Sequence, residues 1–219
     1  MAKKATMLAR DKRNRAPSEA ESGYHHGDLQ EALIAATEEI LAEQGAEGFT
    51  LREAARRAGV SPAAPAHHFG NAPGLLTEVA IRGYDALGAA LKQAAAKKGT
   101  DHQKLQAQGL AYVDFALTYP GRFQMMFSNK RLVADDERLR QSIKAAHREF
   151  EIVVEELASH PPGMTAKQAK VAATVAWSTV HGFAKLALEG KFGAFGEGRR
   201  EIMATLRQVL EYLWPTKSA

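Results

Sequence analysis

The chain has 219 residues, 45% of them apolar and 25% charged, and no cysteine. The length allows one large core or two small ones, the composition is globular rather than disordered, and the lack of thiols excludes disulfide frameworks and thiolate metal centres. Net charge is +4, but Lys3, Lys4, Arg10, Lys12, Arg13 and Arg15 against Asp11 place +5 in the first fifteen residues and leave −1 on the rest.

Residues 1–23 mix charge, Ser, Pro and Gly without periodicity and are predicted to form a disordered basic arm. Such an arm suits an anionic polymer, and equally a solvated tail. No apolar run follows the basic start, so no secretory signal is expected, and a cytoplasmic location is. From Asp28 onward the pattern is helical. A first helix is predicted over 28–44 from Leu29, Leu33, Ala36 and Ile40, with Gly45 placed to cap it. Thr50-Leu51-Arg52-Glu53 fits a capping box opening a short second helix that ends at Gly59. Ser61-Pro62 then reads as N-cap and first residue of a third helix. Pro65 lacks an amide and disfavours helical geometry at Ala64, so this helix is expected to open as an irregular turn.

A long fourth helix is predicted over 72–98, with Leu76, Val79, Ala80, Tyr84, Leu87 and Leu91 as its apolar stripe, and a fifth over 101–119, stopped by Pro120-Gly121. A short apolar helix holding Phe123, Met126 and Phe127 follows, then a seventh over 135–158. Thr165-Ala166-Lys167-Gln168 is a second capping-box pattern, opening an eighth helix to Leu188. Its apolar stretch, Val171 to Leu188, is interrupted by His181 and Lys185, which predicts a buried helix rather than a membrane span. The last helix is predicted over 197–213. The glycines before it, Gly190, Gly193, Gly196 and Gly198, follow no strand and read as a connection, not a phosphate cradle. The fold class is all-α: a basic arm, a three-helix unit over 24–71, and a helical bundle over 72–219.

Residues 50–69 have the dimensions of a helix-turn-helix. The second of its helices presents Pro62, Ala63, Ala64 and Ala66, with His67 near the end, a small-residue face able to approach a major groove closely. Arg52, Arg56 and Arg57 supply charge nearby. Periodicity alone is met as well by an ordinary helical hairpin with a solvated arginine face.

Residues 27–76 resemble the DNA-binding domain of the tetracycline-repressor (TetR) family of bacterial regulators. The resemblance rests on Ala35-Ala36, Leu41 through Gly45, Phe49-Thr50, Ala54-Ala55, Ala58-Gly59-Val60-Ser61, His68-Phe69 and Leu75-Leu76. Tyr24-His25-His26-Gly27-Asp28-Leu29 is similar to one branch of the family, whose C-terminal domain carries a Trp…His-Gly signature matched by Trp177, His181 and Gly182. The resemblance implies a homodimer on a palindromic double-stranded operator, with a small effector in the C-terminal domain controlling DNA affinity. It assigns Thr50, Arg52, Ser61, Pro62, Ala63, Ala66, His67 and His68 to the DNA-facing set, and Phe69 to the small domain's core. Two positions depart from the family pattern, Ala66 where Tyr is usual and Ala72 where Lys is usual, and both are expected phosphate contacts.

His25-His26 and His67-His68 are neighbours in sequence, so neither pair shares a helix face, and no metal or other cofactor is expected. Tyr112, Phe115, Tyr119, Phe123, Met126, Phe127, Phe150 and Trp177 form an aromatic and Met-rich set that serves as core or as the wall of a pocket for a small apolar or aromatic effector. His147 and His181 are its candidate polar anchors. Helices eight and nine are apolar on more than one stripe, which predicts a four-helix dimer interface through Trp177, Gly182, Leu206, Val209, Leu210 and Leu213. No nucleophile elbow, metal signature or cofactor motif marks an enzyme. A helical binding protein or enzyme without a DNA role is the alternative, and salt-sensitive binding to a palindrome separates the two.

Overall fold

The computed structural model describes residues 19–160, 163–193 and 198–215, and among these every regular element is helical. Helix α1, Glu19–Gln44, starts nine residues before its predicted first residue, inside the segment read as an arm. Residues 1–18 of that arm lie outside the described residues, and so do the side chains of His25 and His26. Gly45, at φ 67°, ends α1 in a conformation that a side chain would strain. Helix α2, Leu51–Arg57, is capped by the Thr50 hydroxyl, which accepts the Glu53 amide at 3.1 Å. The reciprocal half of the predicted box is absent, because the Glu53 carboxylate is held by Arg56 at 2.7 and 2.8 Å and by Arg57 at 3.0 Å.

Helix α3 is Ala64–Phe69, not a helix capped by Ser61. Ser61, Pro62 and Ala63 form a turn instead, closed by the Ala64 amide on the Ser61 carbonyl at 3.0 Å. This resolves the conflict between the two prolines. Starting at Ala64 puts Pro65 in the first helical turn, where an amide has no intrahelical acceptor anyway.

Helix α4, Ala72–Ala95, begins at the Asn71 side chain, which accepts the Gly74 amide at 2.9 Å. Helix α5 is Asp101–Thr118 and α6 is Pro120–Met126, joined at Tyr119 with Pro120 opening the second. A capping box at Thr100 and Gln103, not predicted, opens α5. Helix α7 is Glu137–Ser159, and α8 is Ala166–Leu188, opened by the Thr165–Gln168 box read from the sequence. Helix α9 is Arg199–Leu213.

Two apolar cores result. Ile34, Ile40, Leu41, Phe49 and Ala54 pack with Leu75, Leu76 and Val79 of α4 and with Met125 of α6; Phe69 packs against this set. The larger core lies among α4, α5, α7, α8 and α9. Gly121 on α6 lies directly on the α1 backbone: a Cβ there would stand 2.5 Å from the Leu41 carbonyl carbon. Arg122 pairs with Glu38 of α1 at 2.5 Å, and its guanidinium covers the Tyr119 ring at 4.7 Å. Arg82 of α4 forks Glu31 at 2.5 and 2.7 Å.

Leu206 and Leu210, expected in a subunit interface, instead fill the chain's own large core at 0% and 1% exposure. A charge at Leu206 would therefore disrupt the subunit itself rather than release monomers. The outward side of α8 carries the apolar surface: Val171, Val175 and Leu186 are 57%, 47% and 46% exposed.

Candidate nucleic-acid interface and effector site

The turn between α2 and α3 depends on Gly59, at φ 68°, and on the Val60 amide, which reaches back to the Ala55 carbonyl at 3.0 Å. Pro65 is buried beneath the turn, while Thr50, Arg52, Ser61, Pro62, Ala63, Ala66 and His67 are exposed together. His68 is half-buried and meets the His67 ring edge-on at 5.3 Å. The three arginines of α2 divide by chemistry. Arg57 is tied to Glu43 at 2.7 Å and to Glu53, and Arg56 to Glu53. The two guanidiniums hold the Glu53 carboxyl down at about 2. Arg52 makes no ion pair among the described residues and is the cation of α2 left for an anionic partner. The spacing of Glu53 to Arg56 and Arg57 carried that signal in the sequence.

The aromatic set of the bundle does not stay together. Tyr112, Phe123, Phe127, Phe150, Trp177, His147 and His181 form a continuous ring cluster with centroid separations between 4.4 and 6.3 Å. Phe115 pairs with Tyr119 apart from it, and Tyr119 is an exposed residue under Arg122. Met126 is buried, with its sulfur beside Gly83 of α4. At the centre, the Tyr112 hydroxyl meets Nδ1 of His181 at 2.9 Å. Burial raises the Tyr112 phenol well above its ordinary value and lowers both imidazoles, His181 with help from Lys185 and His147 against an opposing pull from Glu151. Burial thus favours the neutral form of the His181 imidazole, and its Nδ1 shares with the Tyr112 hydroxyl a hydrogen bond whose direction follows the ring's tautomer. Tyr84, pushed up to about 12 by burial, donates to the Met126 carbonyl at 2.9 Å and so ties α4 to α6.

Beside this cluster a groove of about 580 Å³ opens between α7 and α8. His147, Phe150 and Trp177 line it, as predicted pocket residues, together with Glu151, Val154, Ala169, Lys170, Ala173 and Thr174, which the sequence did not single out. Tyr84, Leu87, Tyr112, Phe127, His147, Phe150 and Trp177 also close around a second, interior gap that is too tight to hold a water molecule. Among the described residues no group of three or more His, Cys, Asp or Glu could hold a metal ion.

A pH dependence follows from the two imidazoles. Their folded pKa values lie below the unfolded ones, so the unfolded chain binds more protons as pH drops below the ordinary histidine value. Their contribution to stability is full above that value and is lost as pH falls through the folded ones. Thermal melts between pH 7.5 and 5.0 should show Tm falling, and His181→Asn should flatten the fall. An equal slope in parent and variant would remove His181 from the account.

Residues 33–79 match the DNA-binding domain of bacterial regulatory proteins of the tetR family, and residues 105–213 match the tetracyclin repressor-like C-terminal domain. The chain belongs to the tetracycline-repressor family. It is a DNA-binding transcriptional regulator built on that family's two domains. A solved structure of a protein with unknown function from Rhodococcus sp. RHA1 is similar at 31% identity, with 89% of this chain and 98% of that one aligned at a TM-score of 0.71. Two more distant structures share the fold. PfmR, a TetR family transcriptional regulator from Thermus thermophilus, is 16% identical over 85% of this chain and 99% of its own, at a TM-score of 0.64. A tetR-family regulatory protein from Rhodococcus RHA1 is 17% identical over 87% and 98%, at 0.66. No curated protein matches the sequence. Within this regulator, no described helix is long and apolar enough to cross a membrane.

Proposed function

We propose that this regulator is a cytoplasmic homodimeric repressor that binds a palindromic operator and lets go when a small apolar or aromatic effector occupies the bundle. The observation that carries the reading is the shared outward display of Thr50, Arg52, Ser61, Pro62, Ala63, Ala66 and His67 over a buried Pro65. Small side chains on the turn let the backbone approach a groove, and Arg52 supplies the charge. With Ala at 66 and 72, phosphate contacts fall to Arg52, Thr50 and His68, and to the basic arm, which lies outside the described residues. Selection of bound genomic fragments, followed by a salt series on the recovered site, tests this. A palindrome bound with a steep salt slope supports it. Binding that is indifferent to sequence, or none, points to a helical binding protein without a DNA role.

Membership of the Trp…His-Gly branch has a physical rationale here. Trp177 and His181, one turn apart, share the inward face of α8 with the aromatic cluster. Gly182 lies on the other side, where an added Cβ would meet nothing within 4 Å. That open face, with Val171, Val175 and Leu186 exposed beside it, suits the α8 of a second copy. On α9, Val209 is half-buried and Leu213 exposed. Val175→Asp should yield a folded chain that runs as a monomer of 23.8 kDa in light scattering, because a carboxylate would be desolvated there without a partner. A Val175→Asp protein that stays dimeric would move the interface elsewhere.

For release, the bundle has a mechanical route. The interior gap touches Tyr84 on α4 and Phe127 beyond α6, α6 rests on α1 through Gly121, and α4 supplies Leu75, Leu76 and Val79 to the small core. An effector that fits one arrangement of these helices better than another shifts the spacing of the two recognition helices by that difference in affinity.

A further inference from the structure

Helix α1 has no basic residue in its last turn, although the C-terminal end of a helix favours a cation. The bundle supplies one. Arg131, in the connection from α6 to α7, donates through Nη1 to the Ala46 carbonyl at 2.9 Å and pairs with Glu47. Ala46 opens the short turn Ala46–Gly48, which carries the chain from α1 to Phe49 and to the Thr50 cap of α2. The Phe49 amide also reaches that carbonyl, but at 3.4 Å, so the guanidinium is the closer donor.

The arginine is anchored on both sides. Its own amide closes on the Ser128 carbonyl at 3.0 Å, and the Val133 amide donates to the Thr77 hydroxyl of α4 at 2.9 Å. Thr77 is 2% exposed, and a buried hydroxyl that accepts a loop amide fixes that loop to its helix. Leu132 packs against both cores. At the other end of the same connection, the Phe127 ring stands edge-on to His181 at 4.4 Å and to Tyr84 at 5.8 Å. The connection therefore runs from the aromatic cluster to the corner between α1 and α2. The other braces meet α1 within its length: Arg82 at Glu31, Arg122 at Glu38 and Gly121 at Leu41. Arg131 meets the chain past the end of that helix, just before Thr50. Without it, α2 and the recognition turn can tilt while both cores stay filled.

We propose that Arg131 is a positioning residue for DNA binding: its guanidinium clamps the α1–α2 corner to the bundle and so holds the two recognition turns of a dimer in register with their half-sites. The proposal rests on the palindrome reading above. The test compares the parent with Arg131→Met, which keeps the stem and loses the donors, and with Glu47→Gln, which removes the ion pair and leaves the carbonyl bond. The Glu47 side chain is 89% exposed, so its pair contributes little. Each protein is titrated by anisotropy at fixed salt against the recovered operator and against a duplex holding one half-site. Two turns that are each in register about a third of the time lose about tenfold on the operator. Arg131→Met should show that loss, yet bind the single half-site within about twofold of the parent, because one turn needs no register with another. Its Tm should stay within about 6 °C of the parent, the scale of one hydrogen bond, and Glu47→Gln should match the parent on both DNAs. Weaker folding alone would lower both DNAs alike.

A second measurement needs no DNA. The chain has no cysteine, so Ser61→Cys and Lys144→Cys, both exposed positions, each take one spin label. Labelled chains diluted into unlabelled ones then report the distance within one subunit by electron–electron resonance. The distribution should be narrow with Arg131 and broader with Arg131→Met. An unchanged distribution, equal losses on operator and half-site, or Glu47→Gln as damaging as Arg131→Met would each overturn the proposal. A parent that does not prefer the operator to the half-site would sink the palindrome reading instead, and the spin-label distances alone would then decide the clamp.

Discussion

Gly121→Ala should lower Tm by roughly 2–12 °C and weaken operator binding together. The added methyl carbon would stand 2.5 Å from the Leu41 carbonyl carbon, 2.6 Å from its oxygen and 2.6 Å from the Ala42 nitrogen. All three are backbone atoms inside α1, so no rotamer change relieves the contact. Overpacking of this kind costs about 1–3 kcal/mol, and a chain of this size loses about 2–4 °C per kcal/mol. The strain has one outlet, which is to lift α6 from α1. That loosens the Arg122–Glu38 pair and moves Met125 out of the small core. Gly83→Ala is the control: its nearest neighbour is the flexible Met126 side chain, which can move aside. Equal losses at both positions, or a Gly121→Ala protein with parental Tm and affinity, would show that the α1–α6 contact has no special weight.

Ala63→Asp should cost more than a hundredfold in operator affinity at unchanged fold stability. Ala63 is exposed on the turn leading into α3 and contributes no side-chain cap. A carboxylate there lies at the N-terminal end of the helix, which tolerates negative charge, so calorimetric Tm should hold or rise slightly. On DNA the same charge meets phosphates. Like-charge juxtaposition in an interface costs several kcal/mol, and a dimer meets it twice. Ala63→Lys at the same site should tighten non-specific binding. Anisotropy titrations at fixed salt read both, and near-parental affinity for Ala63→Asp would put a different surface against the DNA.

Much of this was legible in the sequence for physical reasons that can be named. The stripe through Leu76, Val79, Tyr84, Leu87 and Leu91 has the helical period, and all five residues are buried. Thr165 caps with the full box as read, and Thr50 with only its hydroxyl half, because capping is local and depends on the next three residues and on what else holds the third. The errors came where local rules conflict or fall silent. Ser61-Pro62 and Ala64-Pro65 each make an acceptable helix start, and only the burial of Pro65 chooses between them. Periodicity marked α9 as amphipathic but not what covers its stripe: Leu206 and Leu210 face the bundle, while α8 turns Val171, Val175 and Leu186 outward and α9 exposes Tyr212 and Leu213 at its end. The groove was half-visible. His147, Phe150 and Trp177 stood out as aromatic, but the hollow itself exists because Ala169 and Ala173 are small, and nothing in a sequence marks a void.

Helix α4 belongs to both hydrophobic cores. Its first turns complete the small one through Leu75, Leu76 and Val79, and from Ala80 onward it serves the large one. The molecule therefore has no hinge at which a reading head could be exchanged for another. A chimera joined at residue 72 would leave Ile34, Ile40, Leu41 and Phe49 facing a stranger's side chains, whereas one joined after Val79 carries its own keel. The same continuity should make the two halves melt in one cooperative transition, and it places the workable crossover for modular recombination inside a helix rather than between domains.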